Sequence, residues 1–168
     1  GASGGIGRVA LQLAKHLGAH VTGTCSEQNK QLVLDLGADA VIDYRVTDFT
    51  TKGEKYDVII DCAGFLPWRK VEPVLTPTGK HMLAMFHISH LLQQRKTKGK
   101  GGKEQLCVLA PAKPENLKRI GELLAEGALK PIISKRFSFD GVIEAAKLYD
   151  TNTQKGCIIV KPHEWNGK

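Results

Sequence analysis

The chain has 168 residues, which is enough to bury a sizeable core and is most simply one domain. Its composition, 42% hydrophobic and 24% charged, is typical of a globular protein and excludes a disordered or fibrous chain. The net charge of +7 permits contact with nucleic acid or an anionic surface, and no apolar run approaches the roughly 18 residues of a membrane span. The four cysteines lie far apart without a CxxC pair, which predicts free, buried thiols rather than a zinc site.

The first predicted element is a glycine-rich turn over residues 1–7 that runs directly into an amphipathic helix. Apolar residues recur at helical spacing from Ile6 to Leu17, and Gly18 is expected to end the helix. Such a junction suits a dinucleotide pyrophosphate, because glycines let the phosphates approach backbone N–H groups at the positive end of a helix. The candidate phosphate-binding residues are Ser3, Gly4, Gly5, Ile6 and Gly7.

Strands and helices are then predicted to alternate along the chain. Strands are expected at residues 20–25, 40–44, 57–62, 80–86, 105–110, 132–137 and 157–161, with helical segments near 30–36, 68–75, 114–124 and 139–149. The near-continuous apolar run at 57–62 predicts a strand buried on both faces. This alternation predicts an α/β fold of the Rossmann type, a doubly wound parallel sheet.

The segment between the predicted strands at 80–86 and 105–110 is less regular. Residues 95–103 carry five basic side chains and three glycines, which predicts a mobile, solvated loop; binding of nucleic acid is the less favoured alternative. His87 and His90 have a spacing that could hold a metal on one helical turn, but without a third ligand a surface pair is favoured and no metal site is predicted.

The glycine-rich turn stands at the start of the chain, although a Rossmann half begins with an apolar strand that leads into this turn. In the strand order 3-2-1-4-5-6 that strand is central, and its absence would leave two neighbouring strands with unpaired edges. We therefore expect residues 1–168 to be a piece of a longer protein, preceded by an apolar strand and about 100–150 further residues.

Several segments, taken together in order, resemble the medium-chain dehydrogenase/reductase superfamily, and in particular its zinc-independent, quinone-oxidoreductase-like branch. They are residues 1–7, 12–19, 24–26, 36–44, 56–64, 127–133 and 155–161. The resemblance implies a cofactor-binding domain that follows an N-terminal catalytic domain. It also implies NADPH-dependent reduction of a quinone or an activated α,β-unsaturated carbonyl, with no catalytic residue in this part, so the isolated piece is expected to be inactive.

The choice of cofactor follows from the end of the predicted strand at 20–25, which is the second strand of the Rossmann order. An NAD-specific site places a carboxylate there, which binds the ribose 2′-hydroxyl and repels a 2′-phosphate. This strand instead ends on Thr24-Cys25-Ser26. By resemblance Ser26, Lys30 and Tyr44 hold the 2′-phosphate, and a hydroxyl, a cation and a phenol suit a dianion. The alternatives are a helix N-cap for Ser26, an exposed helix lysine for Lys30 and an aromatic cover of the core for Tyr44.

Small residues at the end of the strand at 57–62 leave a path for the cofactor, with Cys62 and Gly64 as its candidate contacts. By resemblance Met85 and Phe86 lie near the nicotinamide, although plain core packing is slightly favoured for both. Asp61 is expected to bond N–H groups of the following loop rather than to act with Asp57 in acid–base chemistry.

Two rival functions were weighed. A short-chain dehydrogenase is excluded, since none of the three tyrosines is followed four residues later by the lysine its proton transfer needs. A non-enzymatic, nucleotide-responsive protein that binds RNA or a protein partner through residues 95–103 remains the alternative. For the enzyme we expect a small-molecule partner, a homodimer through the sheet edge near residues 80–110, and a cytoplasmic or mitochondrial location.

Overall fold

A computed structural model describes residues 1–151 and 155–162, in which helices and strands alternate as the sequence predicts. In chain order they are α1 (Gly5–His16), β1 (Thr22–Cys25), α2 (Lys30–Asp35), β2 (Ala40–Asp43), β3 (Tyr56–Asp61), α3 (Trp68–Val71), β4 (Leu75–Leu83), α4 (Ile88–Thr97), β5 (Glu104–Cys107), α5 (Pro114–Ala125), β6 (Ile133–Ser138), α6 (Val142–Asp150) and β7 (Cys157–Lys161). Single 3₁₀ turns lie at Glu27–Asn29, Phe49–Thr51, Glu72–Val74 and Phe139–Gly141.

Every strand pair is parallel, which confirms the predicted Rossmann-type fold. β1 pairs with β2, β4 lies between β3 and β5, and β6 pairs with β7. The first two groups correspond to strands 3-2 and 4-5-6 of the Rossmann order, and no strand of the described residues occupies position 1 between them. The chain enters at this position: Ala2 N donates to Thr24 O at 2.9 Å, and Gly1 faces Cys62, which follows β3.

Two apolar clusters hold the first part of the chain together. Under β1 the cluster is formed by Leu11, Cys25, Val33 and Ala38, and beside β3 by Ile59, Val71, Val74 and Leu75. All four cysteines are free thiols, but the prediction that they are buried holds only for Cys25; Cys157 is exposed. No helix among the described residues is long and apolar enough to cross a membrane.

The chain divides into two compact units. Residues 1–122 contain the strands β1 to β5 and the whole candidate site. The second unit begins at residue 123, and its described residues contain the parallel pair β6–β7 joined by α6. Its buried side chains are Leu123, Leu129 and Ala145.

Strand β3 is not buried on both faces, as its apolar run predicted. Ile59 and Asp61 are buried, whereas Val58 and Ile60 are 49% and 41% exposed. Successive side chains of a strand point to opposite faces, and the core cluster beside β3 covers only the face that carries Ile59.

Strand β4 begins earlier than predicted. The sequence Pro77–Gly79 was expected to separate a helix from a strand at residue 80, but β4 already starts at Leu75. The predicted break is present as an irregularity: Tyr56 is opposite Leu75, and two residues further along β3 Val58 is opposite Lys80. The residues between them bulge out of the pairing, where proline is tolerated.

Residues 86–103 contain the helix α4, which the sequence did not predict. Arg95 and Lys96 form its last turn, so that only residues 98–103 remain a connection. This connection is tied down rather than freely solvated, because Gly99 N donates to Glu104 Oε1 at 2.8 Å and Lys103 Nζ to Glu72 O at 2.6 Å.

Candidate functional site

The glycine-rich turn leaves the start of α1 open. Gly4 is the N-cap residue, with φ −74° and ψ 171°, and no side chain caps the helix. The turn is closed from within, since Gly4 N donates to Gly1 O at 3.1 Å. The first N–H groups of a helix have no partner within the helix, and the first turn of α1 carries no acidic residue. These amides and the helix dipole can therefore bind an anion.

The glycines of the turn have different physical roles. A Cβ on Gly7 would collide with the Gly1 carbonyl oxygen and lie 2.8 Å from Ala2 Cα, so Gly7 is needed for α1 to pack on the turn. A Cβ on Gly4 would lie 3.3 Å from Gly1 O. A Cβ on Gly5 would meet no atom of residues 1–151 or 155–162 within 4 Å and would project into open space. Gly5 thus leaves room for a ligand, whereas Gly7 leaves room for the protein itself.

Two of the predicted hydroxyls are brought together by a residue that the sequence analysis missed. Asn29 Nδ2 lies 3.3 Å from Ser26 Oγ and 3.4 Å from Ser3 Oγ and donates to both. Ser26 is only 4% exposed and is the N-cap residue of the turn Glu27–Asn29, although its side chain makes no capping bond. Ser26 therefore belongs to the wall of the site, behind the more accessible residues.

Lys30 and Tyr44 are both exposed near the ends of β1 and β2. Lys30 Nζ lies 3.3 Å from Glu27 Oε1, and the Tyr44 side chain is largely accessible and does not cover the core. The guanidinium of Arg45 lies 5.9 Å from the centre of the Tyr44 ring. Arg45 is a second cation at this end of the site, which the sequence analysis also missed.

Asp43 connects the two loops that carry these residues. Its Oδ2 accepts from Glu27 N at 3.0 Å, after β1, and its Oδ1 accepts from Arg45 N at 2.9 Å, after β2. A carboxylate that bonds the backbone of a residue 16 positions away cannot be identified from spacing in the sequence. The only sequence signal for Asp43 is that an acidic residue ends the strand directly before the aromatic Tyr44.

A cleft of about 400 Å³ lies beyond the ends of β3 and β4. It is lined by Cys62, Ala63, Phe65, Met85, Phe86 and His87. Gly64 lies between the two loops with φ +72°, and a Cβ on it would collide with the Met85 carbonyl oxygen. The predicted cleft residues Cys62, Gly64 and Phe86 are thus brought together, and Met85 is 58% exposed and not packed in the core.

Asp61 fastens the loop that forms one side of this cleft, as the sequence predicted. Its Oδ1 accepts from Ala63 N at 3.0 Å and Gly64 N at 2.8 Å, and its Oδ2 accepts from Leu66 N at 2.9 Å. Burial raises the pKa of the neighbouring Cys62 thiol, so this thiol is protonated at neutral pH and lines the cleft as a weakly polar group.

His87 and His90 lie at the start of α4 and cap it. His87 N donates to His90 Nδ1 at 3.0 Å, and the two rings stack with their centres 5.9 Å apart. Within the described ranges no three His, Cys, Asp or Glu side chains are grouped as a metal ion would require. The pair thus has a role in capping α4, and the absence of a metal site stays a prediction.

Comparison with known proteins identifies the family. The family model for zinc-binding dehydrogenases matches residues 36–160. The chain is 40% identical over 167 residues to the chloroplastic quinone-oxidoreductase QR1 of Triphysaria versicolor, with 96% of this chain and 50% of that protein covered. It is 31% identical to the mitochondrial NAD(P)H oxidoreductase RTN4IP1 of Danio rerio, with 95% and 47% covered.

A solved structure with the same fold is the quinone oxidoreductase from Coxiella burnetii. It superposes with a TM-score of 0.75 at 28% identity, over 95% of this chain and 50% of that one. The chain thus spans about half the length of the relatives it matches. It belongs to the medium-chain dehydrogenase/reductase superfamily, in the quinone-oxidoreductase-like branch that its glycine turn and strand-end motifs predicted.

Proposed function

We propose that this chain is the NADPH-binding part of an oxidoreductase that reduces a quinone or an activated α,β-unsaturated carbonyl without a metal ion. Relatives named as quinone oxidoreductases support the acceptor class, and one named as an NAD(P)H oxidoreductase supports a nicotinamide cofactor. The observation that carries the proposal is the open, uncapped start of α1, with free space in front of Gly5.

The cofactor pyrophosphate fits this turn on steric and electrostatic grounds. Its oxygens need backbone N–H donors, and the first turn of α1 offers them without a competing side chain or acidic residue. Since Gly5 has no neighbour within 4 Å in the direction of a side chain, a phosphate can approach the backbone there. Ser3 lies in the same turn and adds a hydroxyl.

The preference for NADPH over NADH is supported by the residues after β1 and β2. Ser26 stands at the end of β1, where an NAD-specific site has a carboxylate. The exposed cation Lys30 begins α2 after the same strand, and after β2 the cation Arg45 lies beside the exposed Tyr44 ring. Two carboxylates near this position, those of Glu27 and Asp43, would repel a 2′-phosphate. However, the exposed Lys30–Glu27 pair contributes little, so Lys30 can exchange Glu27 for a phosphate. Asp43 is already occupied by two backbone N–H groups.

The cleft beyond β3 and β4 would receive the nicotinamide. When bound, the cofactor supplies the hydride. The chain contributes a mostly apolar wall, with Phe65, Met85 and Phe86 excluding water from one side of the ring. Holding donor and acceptor in contact contributes several kcal/mol without an acid or base. This chain covers half the length of the quinone-oxidoreductase relative. We propose that the other contacts to the acceptor come from the half that is not covered, and that the chain alone has no turnover.

The rival function, a non-enzymatic protein that binds RNA or a protein partner through residues 95–103, has no support among the relatives named above, which are oxidoreductases. This segment is part helix and part tethered connection, with Lys103 bonded to Glu72 O. The homodimer predicted through the sheet edge stays a prediction. The outward amides of β5 are bonded by α4, so such a contact would involve α4. The predicted cytoplasmic or mitochondrial location also stays a prediction; the two relatives above are named as chloroplastic and mitochondrial.

The substitution Gly5→Ala tests the proposed pyrophosphate site. A methyl group there fills only open space, so folding stability should be kept or slightly raised, while affinity for NADPH should fall about tenfold or more. Gly121→Ala is the matched control, because Gly121 is also a helical glycine with nothing within 4 Å but lies outside the site. Calorimetric titration with NADPH and NADH measures the affinities of both variants, and thermal unfolding midpoints measure their stabilities. Equal NADPH affinity of both variants would refute the pyrophosphate site.

A further inference from the structure

The adenosine end of the proposed site is assembled from three separate segments. They are the glycine-rich turn at residues 1–7, the 3₁₀ turn Glu27–Asn29 after β1, and residues 43–45 after β2. Two side chains bridge them. Asn29 joins the second segment to the first, and Asp43 joins the third to the second. Neither belongs to the residues proposed above to touch the cofactor.

Asn29 determines which way two hydroxyl groups point. Its Nδ2 donates to Ser3 Oγ and Ser26 Oγ, so both serine oxygens act as acceptors toward Asn29. A serine hydroxyl that accepts from one side keeps its own proton free to donate elsewhere. Asn29 therefore leaves Ser3 and Ser26 as donors, which is the polarity that a phosphate needs. A carboxylate at this position would demand the same protons for itself.

Asp43 fixes the distance between the two loops that carry the charged and aromatic residues. One oxygen holds Glu27 N, three residues before Lys30, and the other holds Arg45 N, next to Tyr44. Both oxygens are needed, because each accepts from a different backbone segment. Asparagine has only one acceptor oxygen, and its NH₂ group would face an N–H donor at the other position.

We propose that Asn29 and Asp43 are positioning residues that preform the 2′-phosphate pocket, Asn29 by orienting the Ser3 and Ser26 hydroxyls and Asp43 by clamping the β1 and β2 loops together. This inference rests on the proposed NADPH function. It adds that the pocket is set before the cofactor arrives, so part of its effect is measurable on the free protein.

The first experiment examines Asp43 without any nucleotide. In Asp43→Asn, hydrogen–deuterium exchange at the amides of Glu27 and Arg45 should be about tenfold faster or more than in wild type. Asp48→Asn is the matched control, since Asp48 also accepts from a backbone amide, Thr50 N at 3.0 Å, outside the site. In Asp48→Asn, amide exchange should become faster at Thr50 and stay unchanged at Glu27 and Arg45. If the asparagine variant does not fold, Asp43→Ser takes its place.

The second experiment examines the pocket with 2′,5′-ADP, which carries the 2′-phosphate, and with AMP, which lacks it. Asn29→Asp, which preserves size but reverses hydrogen-bond polarity, should weaken 2′,5′-ADP binding at least tenfold and AMP binding much less. Asn29→Gln keeps the donor and should remain within about threefold of wild type. Asn116→Ala, which removes an amide bonded to Pro111 O elsewhere, should leave both affinities unchanged.

The outcomes separate this inference from the function on which it rests. Wild-type protein that binds neither 2′,5′-ADP nor NADPH would refute the proposed function and the phosphate role of Asn29 together. Intact binding in Asn29→Asp, or unchanged exchange at Glu27 and Arg45 in Asp43→Asn, would overturn the positioning roles and leave the cofactor function standing.

Discussion

Thr97 on α4 accepts a hydrogen bond of 3.0 Å from the backbone N of Gln105 on the edge strand β5. One turn earlier, Gln94 Oε1 accepts from Cys107 N. On the inner side Val108 N continues the pairing with Leu83 O on β4. The helix thus supplies side-chain acceptors where a further strand would supply carbonyls. This protects an edge that would otherwise template pairing with other chains.

We expect Thr97→Val to destabilise the protein by about 1 kcal/mol, because the Gln105 amide loses its acceptor while the side chain keeps its size. Adding Gln94→Ala should roughly double the loss. It should also speed amide exchange at Gln105 and Cys107 and favour association through the freed edge. Urea unfolding, exchange and light scattering measure the three effects.

Thr97→Ser serves as a control because it retains the hydroxyl, and Gln93→Ala because it removes a neighbouring glutamine side chain of the same helix. Both should stay within about 0.5 kcal/mol of wild type. If the Gln105 amide exchanged as slowly in Thr97→Val as in wild type, protection of the β5 edge would not depend on the hydrogen bond to Thr97.

Gly64 tests how closely the two walls of the cleft approach each other. Gly64→Ala combines a left-handed backbone, φ +72°, with a collision against the Met85 carbonyl. Gly99→Ala has the same backbone strain at φ +75° but nothing within 4 Å. We expect a cost of about 1–2 kcal/mol at Gly99 and a clearly larger one at Gly64. Equal unfolding free energies for the two variants would contradict the close packing of the cleft loops.

Asp61 is expected to be one of the more sensitive polar residues of the sheet. Asp61→Asn removes one of the two oxygens that together accept from three backbone amides, so we expect a loss of about 1–3 kcal/mol in chemical denaturation. Asp57→Asn, four residues earlier on β3, touches only an exposed bond from Thr76 Oγ1 and should cost no more than about 0.5 kcal/mol. A similar loss in both variants would argue against the role of Asp61 in the loop.

The helices that the sequence predicted well, such as α1 and α5, carry their apolar residues at regular helical spacing along one face. α1 and α2 end next to Gly18 and Gly37, both with positive φ, as their stop signals predicted. α4 escaped detection because its pattern is reversed. Its apolar Ile88, Leu91 and Leu92 are exposed, and polar side chains face the strand it covers. Periodicity alone cannot reveal a helix held in place by amide and hydroxyl side chains.

The site shows the same division. The glycine turn and the strand-end residues follow from local chemistry, and the sequence located them. Asn29 and Asp43 act through bonds to Ser3, 26 residues away, and to Glu27, 16 residues away, which only the folded chain brings within reach. Sequence reasoning therefore named the residues that we propose to contact the cofactor and missed the two that we propose to position them.

His81 makes the stability of the sheet sensitive to mild acid. It is fully buried in β4, opposite Gln105 on β5, and its ring stacks on Trp68 with the centres 6.4 Å apart. Neither ring nitrogen nor Gln105 Oε1 has a hydrogen-bond partner among the described residues. Burial lowers the pKa of His81. Asp61 and the adjacent Gln105 side chain partly oppose this and His90 adds to it, and the net shift is downward.

The sign of the effect follows from this shift. Below its ordinary pKa of about 6.5 the unfolded chain binds a proton at His81, while the folded protein does not until the pH is lower. Stability should therefore be highest above pH 6.5 and fall as the pH drops toward the folded pKa. The slope contributed by His81 is at most about 1.4 kcal/mol per pH unit. Below the folded pKa, no further loss comes from this residue.

His81→Phe removes the titrating group and keeps a ring against Trp68. The difference in unfolding free energy between wild type and this variant, measured by urea denaturation from pH 8 to pH 5, should be constant above pH 6.5. Below that pH it should shift in favour of the variant. If the unfolding free energies of wild type and His81→Phe ran parallel from pH 8 to pH 5, the folded protein would accommodate the charged His81 ring. Water would then have to reach the buried side chains of His81 and Gln105.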